Sequence, residues 1–443
     1  MGLLRYASLG VLLVTLAAVP EQPRLAGALR DGEVLGASNW QAAQGLLPDE
    51  ILEHYRRGEY ANPVIDLSRP GLVPIANPPQ LEQATRANRD RYAVDGRNSL
   101  VDVATGEPAV GIRGLPFADI EPNDPQAAAK IVWNNLYAAY YRGDSRFLTQ
   151  LVMIGRRGIE RRIGTEVLMR VYDGSPESAG RDNPNQLVMQ SLARVVTPAD
   201  LNGTISLTWR YRSGDQPDAL WTYVPGLRRP RQVNPLNRSD GFLGSDMSLD
   251  DGPFFDGKPE SFTFRLVGRE EMLALVDPFS TRGDADLMAL PDGGYRVVWK
   301  DVPRIGADDP SWKGLPWAPV SAALARRTMW IVEAVPKDPN YLFGRIVLRI
   351  DAENYRGSWA TKYDRAGKPL MSYQTSNGPF QSPDGGKTWI PGGGVPVQIA
   401  ENLVDRRATA IVFPSADRNN PSDFRIATAP EAFDPQVLTQ SGK

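Results

Sequence analysis

The densest run of chemistry-bearing side chains lies between Asp218 and Asp251, DALWTYVPGLRRPRQVNPLNRSDGFLGSDMSLDD. Arg228, Arg229, Arg231 and Arg238 come first, and Asp240, Asp246, Asp250 and Asp251 follow. Guanidinium forks match carboxylates and phosphates, so this spacing predicts one of two things. Arginines and aspartates could neutralise each other and brace a long loop. Alternatively, Arg228, Arg229, Arg231, Asp246, Asp250 and Asp251 could form a charged rim that meets an anionic headgroup or a partner protein. Calcium also favours oxygen ligands, but Asp246, Asp250 and Asp251 do not fit a twelve-residue ligand loop and the arginines compete for them. No metal site is expected.

Catalytic templates fail on inventory. The chain has 443 residues, no cysteine and one histidine. That histidine, His54, is placed by the pattern on a helix surface, so Ser-His-Asp and Cys-His chemistry has no base to use. Zinc sites normally take several His or Cys ligands. Gly392-Gly393-Gly394 lacks the strand–helix context of a dinucleotide fingerprint, and no cofactor is expected. With 52 acidic residues a glycosidase-type carboxylate pair is chemically available, although no spacing selects one. Ser382 to Trp389, SPDGGKTW, is similar to the Asp-box turn of sialidase-type propellers. It occurs once, and that motif is a turn device rather than a catalytic one. Net charge is -2, which gives no electrostatic footprint for nucleic acid.

The elements that would position these residues follow from pattern. Arg5, the apolar run Leu9 to Val19 and Ala26-Gly27-Ala28 read as a secretory signal over 1–28, so the protein is expected to be periplasmic, not lipidated and without disulfides. Pro48-Asp49-Glu50 opens a short helix that Gly58 stops. Residues 62–118 read as extended chain with a short helix near Leu81 to Arg89. Asp124-Pro125 caps a helix over 126–142, with Ala129, Val132, Trp133, Leu136 and Tyr140 on one face. Strands follow. Phe262, Phe264 and Leu266 alternate with Thr263 and Arg265; Tyr295, Val297 and Trp299, and Ile346, Leu348 and Ile350, alternate likewise. The division expected is an N-terminal extended and helical region over 29–147, an antiparallel half-barrel over 148–375, and a Gly/Pro-rich loop and C-terminal extension over 376–443. Trp221, Tyr223, Phe262, Phe264, Tyr295 and Trp299 are the candidate cavity residues.

Five stretches together carry a resemblance. They are Ser38 to Leu52, Gly114 to Asn134, Trp221 to Val233, Arg238 to Asp251 and Trp330 to Asp351. The chain resembles the bacterial family of unknown function DUF1329, which is similar to outer-membrane lipoprotein-sorting proteins. The resemblance implies an α+β fold like that of LolA and LolB: a half-open antiparallel β-barrel with helices lidding the concave face. It also implies a cavity for acyl chains and partners in inner- or outer-membrane transport machinery. The function expected is a non-enzymatic periplasmic carrier or chaperone for a lipid or other hydrophobic molecule. A non-catalytic scaffold of a transport complex and an envelope glycan hydrolase are the alternatives.

Overall fold

Alternating apolar and polar residues from position 145 onward make long antiparallel strands, and these strands build one curved sheet. The computed structural model describes residues 29–441 apart from 235–237, 284, 300–303, 382–388, 391–396 and 413–421. The expected signal over 1–28, most of the Asp-box-like stretch and Gly392 to Gly394 therefore lie outside the described residues.

Strands β1 (Ser145–Gly155), β2 (Gly158–Val171), β3 (Leu187–Thr197), β4 (Ile205–Tyr211), β5 (Ala219–Tyr223) and β6 (Arg231–Val233) run as a meander. After a long loop comes β7 (Phe262–Val276), then the side hairpin β8 (Ala285–Ala289) and β9 (Tyr295–Trp299). The second meander is β10 (Ala323–Pro336), β11 (Arg345–Asp351), β12 (Gly357–Tyr363), β13 (Pro369–Thr375), β14 (Val397–Asn402) and β15 (Arg407–Val412). β15 pairs antiparallel with β1, which joins the two meanders, and β7 pairs with β10. A last short strand, β16 (Ser422–Phe424), links the side hairpin to the start of β1. Among the described residues no register joins the terminal strands β6 and β7, so the sheet is an open half-barrel. The α+β, half-open architecture is the one expected.

Two positions differ from the pattern reading. The segment after 376 is not peripheral: β14 and β15 sit mid-sheet, between β13 and β1. The turn residues at Asp351 to Asn354 and Asp364 to Gly367 read in the sequence as those of the last hairpins; both turns are present, but β14 and β15 form a further hairpin after them. Much of the sheet is also covered on both faces. The segment from Leu35 to Val64 packs with Leu315 to Leu324 on the outer side, against Val152, Leu273, Trp359, Ile399 and Ala410. Neighbouring residues Leu151 and Ala360 face the inner cluster instead. Period-two alternation therefore separates two apolar faces here, rather than one dry face and one wet face.

Three helices matter for the site. α1 (Asp49–Arg56) and α2 (Pro79–Arg86) start within a residue of their prolines. α3 (Ala127–Tyr140) follows Asp124, whose Oδ1 accepts from the Gln126 N–H at 2.8 Å, and it stops before Gly143 at φ +74. The sequence pattern gave α3 one apolar stripe. In the structure every residue of α3 except Lys130 is buried, because the half-barrel wraps it. Its polar members are matched inside: Asn134 bonds both the N–H and the carbonyl of Phe117, and Asn135 donates to the Tyr355 carbonyl. Among the described residues no helix is long and apolar enough to cross a membrane.

Candidate functional site

A cavity of about 240 Å³ lies between α3, the inner faces of β1 to β4 and the loop that follows β6. Its wall reads every second residue of each strand: Phe147, Thr149 and Leu151 on β1, Thr165, Val167 and Met169 on β2, Met189, Ser191 and Ala193 on β3. α3 contributes Leu136, Ala139 and Tyr140. Several polar groups on this wall bind each other or nearby backbone. The Thr149 and Thr165 hydroxyls are 2.9 Å apart, and Gln398 accepts from the Tyr373 hydroxyl at 2.7 Å. What faces the cavity is therefore chiefly hydrocarbon, aromatic ring and thioether. This volume exceeds the roughly 150 Å³ of an apolar cavity that takes up benzene.

The fourth wall is the loop 241–256, which supplies Phe242, Met247, Leu249, Pro253, Phe254 and Phe255. Charge holds it in place. Arg210 on β4 donates from Nη2 to Asp218 Oδ2 at 2.8 Å and from Nη1 to Asp256 Oδ1 at 2.8 Å. Arg238 donates from Nε to Asp250 Oδ1 at 2.6 Å and from Nη2 to Asp256 Oδ2 at 2.8 Å. The Tyr341 hydroxyl donates to the other oxygen of Asp250 at 2.9 Å. Lys362 pairs with Asp251, which also accepts from the N–H and hydroxyl of Ser248 at 2.8 Å. At the far side Arg407 Nε donates to Asp246 at 2.9 Å. Gly357 lets the loop approach: a Cβ there would lie 1.9 Å from the Phe254 ring. Burial pushes Asp218 up, but the Arg210 and Arg238 charges outweigh it and leave it below its ordinary value. For Asp256 burial wins against the same two arginines and its carboxyl is raised.

Arg142, at the end of α3, and Arg356, between β11 and β12, line another part of the cavity. They are 5% and 3% exposed. Arg142 donates Nε to the Ala139 carbonyl at 3.1 Å. Burial, and then the like charge of Arg356, push the Arg142 guanidinium well down, and burial alone brings Arg356 to about 10.

The sequence-predicted site residues scatter. Phe262 and Phe264 stack at 6.0 Å in the inner cluster and meet the cavity-lining Phe255 at 5.2 and 6.3 Å, so they stand behind the wall rather than on it. Trp221 and Tyr223 face the other way. Trp221 pairs with Leu207, whose neighbour Thr208 lines the cavity, so Trp221 belongs to the outer face. There it meets Trp209 at 5.2 Å under a C-terminal segment that includes Phe433 and Leu438. Tyr295 pairs with Phe424 on the side hairpin, and the Trp299 side chain lies outside the described atoms. Arg228, Arg229 and Arg231 are exposed at the sheet edge, whereas Asp250 and Asp251 are buried. Asp250 and Asp251 are thus internal bracing rather than rim, and Asp246, Asp250 and Asp251 pair with Arg407, Arg238 and Lys362. His54 is not on a surface. It is 7% exposed, with Nδ1 2.7 Å from Glu59 and Nε2 2.9 Å from Glu401 on β14. Nothing in the sequence periodicity marks Arg142, Arg238, Arg356 or the loop wall as cavity residues. The irregular apolar residues Phe242, Leu243, Met247, Leu249, Phe254 and Phe255 amid charges were the available signal for the loop.

A comparison with curated proteins finds no match. Among solved structures, the chain is similar to a protein domain described for outer-membrane lipoprotein sorting from Vibrio parahaemolyticus. Identity is 16%, coverage 70% of this chain and 97% of that one, and the TM-score 0.44. A DUF1329 family protein from Desulfovibrio piger matches at 16% identity over 69% of this chain and 97% of that one, with TM-score 0.42. A LolA superfamily protein from Nitrosomonas europaea matches at 13% over 69% and 96%, with TM-score 0.38. A family model matches residues 34–439, nearly the whole described chain, and the protein belongs to the DUF1329 family, whose function is unknown.

Proposed function

We propose that the protein is a carrier or chaperone for a lipid or other hydrophobic molecule in the bacterial periplasm, serving an envelope transport system. One observation carries this: a partly open cavity walled by alternate strand residues, a buried helix and an apolar loop, several of whose polar groups are engaged with one another. Burying hydrocarbon there gains about 0.8 kcal/mol per methylene and requires no catalytic group, so a binding role accounts for the wall without an active site. Native mass spectrometry on protein purified from its own envelope tests the reading. A hydrophobic molecule at near-stoichiometric amount supports it. Protein that carries none, and takes none up from lipid vesicles, overturns it. Ala193→Phe, which fills the cavity, is expected to abolish uptake while the protein stays folded.

The exposed Arg228, Arg229 and Arg231, beside exposed Val224 and Leu227 at the sheet edge, favour a second role for that edge as the contact to a transport partner. Alanine replacement of the three arginines should then break partner binding and leave ligand uptake unchanged. The described strands form one continuous sheet rather than separate four-stranded blades, so the Asp-box-like turn gives no support to glycan hydrolysis.

A further inference from the structure

The cavity has one charged feature that its own wall does not answer. Arg356 lines it and is 3% exposed. The backbone of this residue is satisfied, its N–H by Asn354 Oδ1 at 2.8 Å and its carbonyl by the Asp351 N–H at 2.8 Å. Its guanidinium meets no carboxylate or carbonyl among the described residues. Arg142 adds a second positive charge close by, since the two repel. The carboxylate that does line the cavity, Asp256, has its oxygens held by Arg210 and Arg238. An apolar chamber with a buried, unanswered cation is costly as it stands, because a charge removed from water needs a partner.

We infer that the cargo is a carboxylate-headed amphiphile, its acid group on the Arg356 fork beside Arg142 and its hydrocarbon tail along Leu136, Val167, Met169 and Met189. This inference rests on the carrier reading and adds the chemistry of the headgroup. A guanidinium binds a carboxylate through two parallel N–H···O bonds. A monoanion suits the site better than a phosphate because a dianion costs more to strip of water against a chiefly apolar wall. A neutral lipid would leave Arg356 unmatched, and its burial unexplained.

Titration calorimetry of the full protein with dodecanoate, dodecanol and dodecyl phosphate tests this. Dodecanoate is expected to bind about ten- to hundredfold tighter than dodecanol and tighter than dodecyl phosphate. Arg356→Met should remove the preference for the acid and leave dodecanol binding in place, and Arg356→Lys should restore part of it. The unliganded Arg356→Met protein should also melt higher than the parent, which a merely structural arginine would not allow. Equal affinity for acid and alcohol, or a preference that survives Arg356→Met, overturns the headgroup assignment and leaves the carrier reading standing. Tighter binding of the phosphate replaces carboxylate with phosphate as the class. Failure of all three probes to bind sinks the carrier reading and this inference with it.

Discussion

Arg210 and Arg356 are both buried, at 1% and 3% exposure, and they differ in what surrounds the guanidinium. Arg210 has Asp218 and Asp256 within 2.8 Å and the Tyr140 hydroxyl at 3.2 Å. Arg356 has no acid partner among the described residues. The first arrangement fixes geometry: it ties β4 to the turn before β5 and to the loop that closes the cavity. The second fixes nothing inside the protein. A buried cation with its acids in place is architecture, and one without them is a receptor for an acid that comes from outside.

The largest test breaks the paired side. Arg210→Met takes from Asp218 its hydrogen-bonded cation and leaves Asp256 with Arg238 alone, and should destabilise the fold by about 3–5 kcal/mol, read by urea unfolding. A loss under about 1 kcal/mol would mean that the network does not brace the loop.

His54 is an intermediate case, a buried cation between two acids that can also lose its proton. Burial opposes the imidazolium, but Glu401 and Glu59 outweigh it and hold His54 up at about 9. Its folded value is raised, so its stabilising contribution is complete below the ordinary value of 6.5 and disappears as pH rises through about 9. Stability should therefore fall by roughly 2–3 kcal/mol between pH 6 and 10, a slope that His54→Gln abolishes. A parent protein with a flat profile over that window would remove His54 from the set of buried cations.

On the unpaired side the sign reverses. Arg356→Met should stabilise the empty protein by about 1–2 kcal/mol, seen as a raised melting temperature. A fall would show that Arg356 has a structural role after all. The smallest effect marks the solvent limit of the comparison. Arg326 and Glu271 pair at 2.5 Å but are 37% and 53% exposed, and Arg326→Ala should cost about 0.5 kcal/mol or less.

The fold was more legible than the site. Alternation in Phe262 to Leu266 and Ile346 to Ile350 marks strands because side-chain direction has a period of two whatever the tertiary context. Proline and glycine placed α1 and α3 nearly to the residue, because caps are local chemistry. The aromatics misled for the same local reason. Trp221 and Thr208 are both strand residues, and only the register between β4 and β5 decides which of them faces inward. His54 looked superficial because α1 has its own polar face, and Glu401, far away in the chain, is what covers it.

By itself, then, the sequence determined the elements, the absence of thiol chemistry and the charge-rich loop, since propensity, caps and composition act over a few residues. Only the tertiary structure decided which strand face is inner, which aspartates are spoken for and which arginine is not. Burial and pairing depend on groups brought together from distant parts of the chain. Arg238 and Arg356 are the same residue type in polar, turn-rich stretches and both line the cavity, and only three-dimensional placement gives one of them three acids and the other none among the described residues.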